Sequence, residues 1–118
     1  FMLLLYPVIS FRDTVTHLGS KTNLIGKMPS EALISRFSNE EQVTSNTPPA
    51  FLVHALNDKT VPYSNSVKFV DALTRNKVAA ELHLYQAGGH GFGMANNTTK
   101  DQWMDRLKNF LLTNKFLQ

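Results

Sequence analysis

Two side chains in this sequence can share a proton-transfer task. Asp58 stands in Asn57-Asp58-Lys59-Thr60-Val61-Pro62, just after the apolar run Ala50 to Leu56. His90 stands in Gly88-Gly89-His90-Gly91-Phe92-Gly93, just after the run Ala80 to Tyr85. A carboxylate can orient an imidazole and stabilise its protonated form, while the imidazole takes a proton from a hydroxyl and returns it to a leaving group. Taken alone, Asp58 reads as an Asn-Asp turn leaving a strand, and His90 as a histidine in a glycine-rich loop. Their positions after consecutive strand-like runs change that reading. Open α/β sheets gather their ligands at the C-terminal ends of the strands. The order, acid then histidine, is that of the last two members of a Ser-Asp-His triad.

The elements that must carry these residues are legible in the apolar pattern. Phe1 to Ile9 and Ala50 to Leu56 are near-continuous in Leu, Val, Ile and Phe, as in strands covered on both faces. Ala80 to Tyr85 alternates, which suits an edge strand with one wetter face. Val67, Val70 and Leu73 recur at helical spacing within Tyr63 to Asn76, with Ser64 or Asn65 as the cap. Thr99-Lys100-Asp101-Gln102 has the form of a capping box, and Trp103, Leu107, Phe110 and Leu111 mark a helix reaching about Asn114. The connection from Ser10 to Thr47 is too long for a bare loop. It should hold helical pieces at Lys21 to Ile25 and at Ser30 to Phe37 capped by Ser30, with a third start at Ser38 to Glu41. Strands alternating with helices imply right-handed crossovers. The expected fold is α/β: three parallel strands with helices on both faces.

Composition narrows the chemistry. The 118 residues suffice for one domain with a core. Twelve Lys and Arg are scattered without a basic run and the net charge is only +3, which argues against a nucleic-acid partner. There is no cysteine, so disulfides, thiol catalysis and zinc-thiolate sites are excluded. No apolar run reaches the ~18 residues of a membrane span. The glycines around His90 fit neither nucleotide-binding fingerprint. Asn96-Asn97-Thr98 and Asn97-Thr98-Thr99 are sequons of a kind common by chance.

The segments Tyr6-Pro7-Val8-Ile9-Ser10, Pro48 to Ala55, Asp58-Lys59-Thr60-Val61-Pro62, Glu81 to Tyr85 and Gly88 to Gly93 together carry a resemblance that spans nearly the whole chain. The sequence resembles the C-terminal part of an α/β-hydrolase, closest to the acetyl-xylan-esterase-like and dienelactone-hydrolase-like branch. Some members of that branch are labelled xylanases. The resemblance implies that Asp58 is the triad acid and His90 the general base. It implies a small acyl ester or acetylated sugar as substrate, with no cofactor and no metal. His54 occupies a position where that family usually has His, and is expected to be structural. His83 should find a partner on one face of its strand; His17 falls in the unassigned connection.

The sequence also departs from that pattern. None of Ser10, Ser20, Ser30, Ser35, Ser38, Ser45, Ser64 and Ser66 lies in a Gly-x-Ser-x-Gly elbow, and no His-Gly-Gly-type oxyanion loop is present. Ser10, at the tip of the first run, is expected to bond local backbone. Residues 1–118 therefore read as a partial α/β-hydrolase domain lacking its nucleophile-bearing N-terminal part, and inactive alone. An apolar edge at Phe1 to Ile9 should promote self-association. Two other readings stand beside this one: a non-enzymatic, degenerate hydrolase-like binding module, and part of a prolyl-oligopeptidase-type serine peptidase.

Overall fold

The computed structural model describes residues 1–118, and its centre is the second apolar run. That run forms β2 (Ala50–Ala55), in which every residue is buried. β2 pairs in parallel with β1 (Met2–Leu5) on one side and with β3 (Ala80–Tyr85) on the other. Leu4, Leu52 and Leu82 lie in register across the three strands. A strand with neighbours on both edges and helices on both faces has no wet side, which is why its sequence does not alternate.

The helices are α1 (Leu18–Ile25), α2 (Glu31–Phe37), α3 (Ser64–Arg75) and α4 (Trp103–Thr113), with a single 3₁₀ turn at Asn39–Glu41. Alternate β2 side chains serve opposite faces. Phe51, Val53 and Ala55 pack with Tyr85 against Trp103, Leu107 and Phe110 of α4. Ala50 and Leu52 pack against Phe69 and Leu73 of α3. His54 falls on the α3 face by the same two-residue period.

Several local expectations are revised. The first strand was expected over Phe1 to Ile9 but ends at Leu5. Tyr6 adopts a left-handed φ of 39°, and Pro7 has no N–H to continue a ladder. The apolar residues beyond serve packing instead: Ile9 joins the cluster under α3. Neither Ser64 nor Asn65 caps α3, whose cap is Tyr63 without a side-chain bond. The Asn65 side chain turns inward. Its Oδ1 accepts the N–H groups of Ile9 and Ser10, each at 3.0 Å, and its Nδ2 donates to the Val15 carbonyl at 2.7 Å. One buried amide thus ties the start of the long connection to α3. The capping box does not form either. Thr99 Oγ1 accepts Asp101 N–H at 3.1 Å, closing a turn ahead of α4.

Elsewhere the long connection follows its expected pieces. Ser30 caps α2 through Leu33 N–H at 3.3 Å. His17 caps α1, its Nδ1 accepting from Ser20 N–H at 3.3 Å. Arg12 bonds both Glu31 and Glu41, joining the strand exit to α2 and the 3₁₀ turn. Ser10 Oγ accepts Arg12 N–H at 3.2 Å, a local backbone bond as expected. Parallel register sends every strand's C-terminal end to one rim of the sheet. Tyr6, Asn57-Asp58 and the Gly88–Gly93 loop therefore meet there.

Candidate active site

Asp58 reaches the rim through a turn at the end of β2, in which its N–H donates to the Ala55 carbonyl at 3.1 Å. Its side chain has no exposure. Oδ1 accepts the backbone N–H groups of Thr60 at 2.8 Å and Val61 at 2.9 Å. Oδ2 accepts from His90 Nδ1 at 2.8 Å. His54 Nε2 lies 3.2 Å from the same oxygen. Burial pushes the Asp58 carboxyl up, but the bonds from Val61 N–H, His90 and Thr60 N–H outweigh it and hold the group below its ordinary 3.8. Asp58 is accordingly a carboxylate at neutral pH.

His90 is placed by the glycine loop. Gly89 takes a left-handed φ of 66° and donates its N–H to Asn57 Oδ1 at 2.9 Å, latching the loop to the residue beside Asp58. Gly88 packs so closely that an added Cβ would lie 2.7 Å from Asn96 Nδ2. Asn96 is buried and donates to the Ala87 carbonyl at 2.7 Å, which leaves it unavailable as a glycosylation acceptor. At the far end, Trp103 Nε1 donates to the Gly93 carbonyl at 3.0 Å. Tyr6 closes the site from β1: its ring centroid is 4.6 Å from that of His90, and its hydroxyl accepts Gly93 N–H at 3.3 Å.

The tautomer of His90 follows from its partner. A carboxylate only accepts, so Nδ1 carries the proton. Nε2 of a neutral ring then presents a lone pair, and it makes no hydrogen bond within the chain. The His90 side chain is one-third exposed, so this nitrogen sits at an accessible rim above a buried acid. Such a geometry can remove a proton from a group brought to Nε2 and stabilise the resulting imidazolium.

The two residues singled out from the sequence are thus brought together across 32 positions. His54 was expected to be structural, and its contact with Asp58 was missed. Tyr6 and Asn57 were missed as neighbours of the site; their only signal was their place at strand ends on the same rim. His83 stands apart, 3.6 Å from Asp101 Oδ2.

A parallel sheet with helices on both faces, an acid after one strand and a histidine after the next, defines an α/β-hydrolase. Within that class, the chain belongs to the prolyl oligopeptidase family, whose sequence model matches residues 6–115. It is 34% identical over 116 residues to an acetylxylan esterase of Xylanibacter ruminicola, covering 94% of this chain and 24% of that protein. It is 35% identical over 102 residues to endo-1,4-beta-xylanase B of Butyrivibrio fibrisolvens, covering 86% of this chain and 16% of that protein. The crystal structure of an acetyl ester-xyloside bifunctional hydrolase from Caldicellulosiruptor lactoaceticus superposes with a TM-score of 0.91 at 37% identity, over 98% of this chain and 43% of that one. The chain therefore spans less than half the length of each of these relatives.

Proposed function

We propose that these residues carry the acid and the general base of a serine ester hydrolase acting on acetylated sugars of the acetyl-xylan type. The observation that carries the reading is the 2.8 Å bond from His90 Nδ1 to a buried Asp58 carboxylate, with Nε2 left accessible. The names of the relatives supply the substrate class: an acetylxylan esterase and an acetyl ester-xyloside hydrolase. In the proposed reaction Nε2 takes the proton of a serine hydroxyl as its oxygen attacks the acyl carbon. The imidazolium then protonates the departing sugar oxygen. Water, deprotonated by the same Nε2, releases acetate and restores the serine.

The serine belongs to residues outside these 118, since no serine here lies in a nucleophile elbow and none bonds His90. The chain alone is therefore expected not to turn over p-nitrophenyl acetate, whereas the full-length gene product does. Measurable turnover by the isolated chain, abolished in His90→Ala, would place the nucleophile within it and overturn that division. The family also supports a peptidase reading, and a side-by-side assay of acetylated xylan and a chromogenic proline peptide separates the two. Preferential cleavage of the peptide would displace the esterase assignment.

Self-association is part of the same proposal. β1 lies at the edge of the sheet and leaves one side of its backbone unpaired, with Phe1 and Leu3 exposed beside it. An apolar open edge is a template for another strand. Light scattering of the isolated chain should give a mass above 13.3 kDa. A clean monomer at tens of micromolar would refute this part.

A further inference from the structure

We infer that His54 is a positioning residue: a buried, neutral imidazole whose Nε2–H lies against the carboxylate oxygen used by His90, and so sets how strongly Asp58 holds the His90 proton. The inference rests on Asp58 and His90 being the acid and base proposed above.

The geometry leaves little choice of protonation. His54 is fully buried. Its Nε2 lies 3.0 Å from the Val61 carbonyl and 3.2 Å from Asp58 Oδ2. Both of these oxygens only accept, so Nε2 must carry hydrogen. Nδ1 is then the acceptor, and Ser66 Oγ of α3 donates to it at 2.8 Å. The neutral ring is thereby satisfied at both nitrogens. Burial acts in the same direction, holding His54 below its ordinary 6.5 against the pull of the Val61 carbonyl and Asp58. The charged groups acting on it are Asp58 and His90; α3 contributes Ser66 at this contact.

Counting donors shows the consequence. A carboxylate offers about four lone-pair sites. Thr60 and Val61 occupy Oδ1. His90 donates to Oδ2, and the His54 Nε2–H lies 3.2 Å from the same oxygen while bonding the Val61 carbonyl at 3.0 Å. His54 is the only other N–H beside that oxygen, and its dipole competes with His90 at Oδ2. Without it, Oδ2 serves His90 alone, the imidazolium is better stabilised and the base becomes stronger. With it, Ser66, His54, Asp58 and His90 form one chain running from α3 to the rim.

The test follows both histidines by two-bond ¹H–¹⁵N correlation in the 118-residue chain, from about pH 5 to about pH 9. His54 should remain neutral, with its proton on Nε2. His54→Leu should raise the His90 midpoint by roughly half a pH unit, the scale of one neutral hydrogen bond. His54→Gln, whose amide nitrogen can reach the Nε2 position, should return it toward the wild-type value. A second proton on His54 in this range, a proton on its Nδ1, or a His90 midpoint indifferent to His54→Leu would overturn the inference. If His54→Leu does not fold, the wild-type titration still decides. Asp58→Asn separates the two levels. A His90 midpoint that does not respond to it would overturn the pair and the inference with it. A His90 that responds to Asp58→Asn but not to His54→Leu overturns the inference alone.

Discussion

Two aspartates of the molecule lie against histidines, and their surroundings are built differently. At the rim, Asp58 is fully buried, takes two backbone N–H groups on one oxygen, and meets His90 at 2.8 Å. Beside β3, Asp101 is 44% exposed, lies 3.6 Å from His83 Nε2 and is shared with Arg106 at 3.2 Å. His83 Nε2 is itself buried without a hydrogen-bond partner, next to a polar cavity of about 260 Å³ lined by Gln86, Thr98 and Thr99. The residue types are the same. What differs is the backbone, which holds the first carboxylate in one orientation and leaves the second to solvent and a half-exposed guanidinium. The exposed ion pair of Asp101 with Arg106 contributes about 0–1 kcal/mol.

The sharpest way to break this contrast is catalytic. In the full-length gene product, Asp58→Asn should lower kcat for p-nitrophenyl acetate by roughly 10³–10⁴-fold, as expected when the imidazole loses the partner that fixes its tautomer. Asp101→Asn should stay within about twofold. Equal losses in both variants would show that the backbone cradle is not what distinguishes them.

The next effect is on stability. Asp58→Ala strips the acceptor from two backbone N–H groups and from His90, and should cost about 2–3 kcal/mol in urea unfolding. Asp101→Ala should cost less than ~0.5 kcal/mol. A comparable loss at the two positions would contradict the burial argument.

Acid titration sharpens the comparison further. The His54 folded value lies below 6.5, so the unfolded chain binds more protons under pH 6.5 and stability declines as pH falls below that point. The Asp58 folded value lies below 3.8, so its contribution is present above 3.8 and is lost as pH falls through the folded value. Asp13 and Glu41, held low by Lys21 and Arg12, add to the same acid limb. Tm measured against pH should thus fall in two stages. Asp58→Asn should shrink the lower stage.

A small effect is also expected at His83. Replacing a buried, unpartnered nitrogen by an apolar ring is close to neutral. His83→Phe should change unfolding free energy by less than ~1 kcal/mol, and the same exchange at His54 should cost more, because it leaves Ser66 and Val61 without their partner.

These contrasts also explain what was legible in the sequence. The three parallel strands and the covering of both faces could be read because burial writes itself into runs such as Ala50 to Ala55. Asp58 and His90 could be read because parallel strands deliver their ends to one rim. The end of β1 could not, since Ile9 is apolar for the sake of α3 and not of a strand partner. The inward turn of Asn65 was hidden because an asparagine near a helix start looks like a cap. His54 was hidden for a different reason. Its contact with Asp58 depends on how the turn after Ala55 folds back, and residue spacing alone does not record that path.

The central claim is that Asp58 and His90 act as one acid–base unit of an ester hydrolase. The most direct test is kcat/KM for p-nitrophenyl acetate in the full-length gene product, measured for wild type, Asp58→Asn, His90→Ala and the double variant. Residues that work as a unit are non-additive. Each single variant should lose about 10³-fold or more, and the double variant should lose little beyond the larger single loss. Turnover near the wild-type level in either single variant, or losses that multiply, would contradict it.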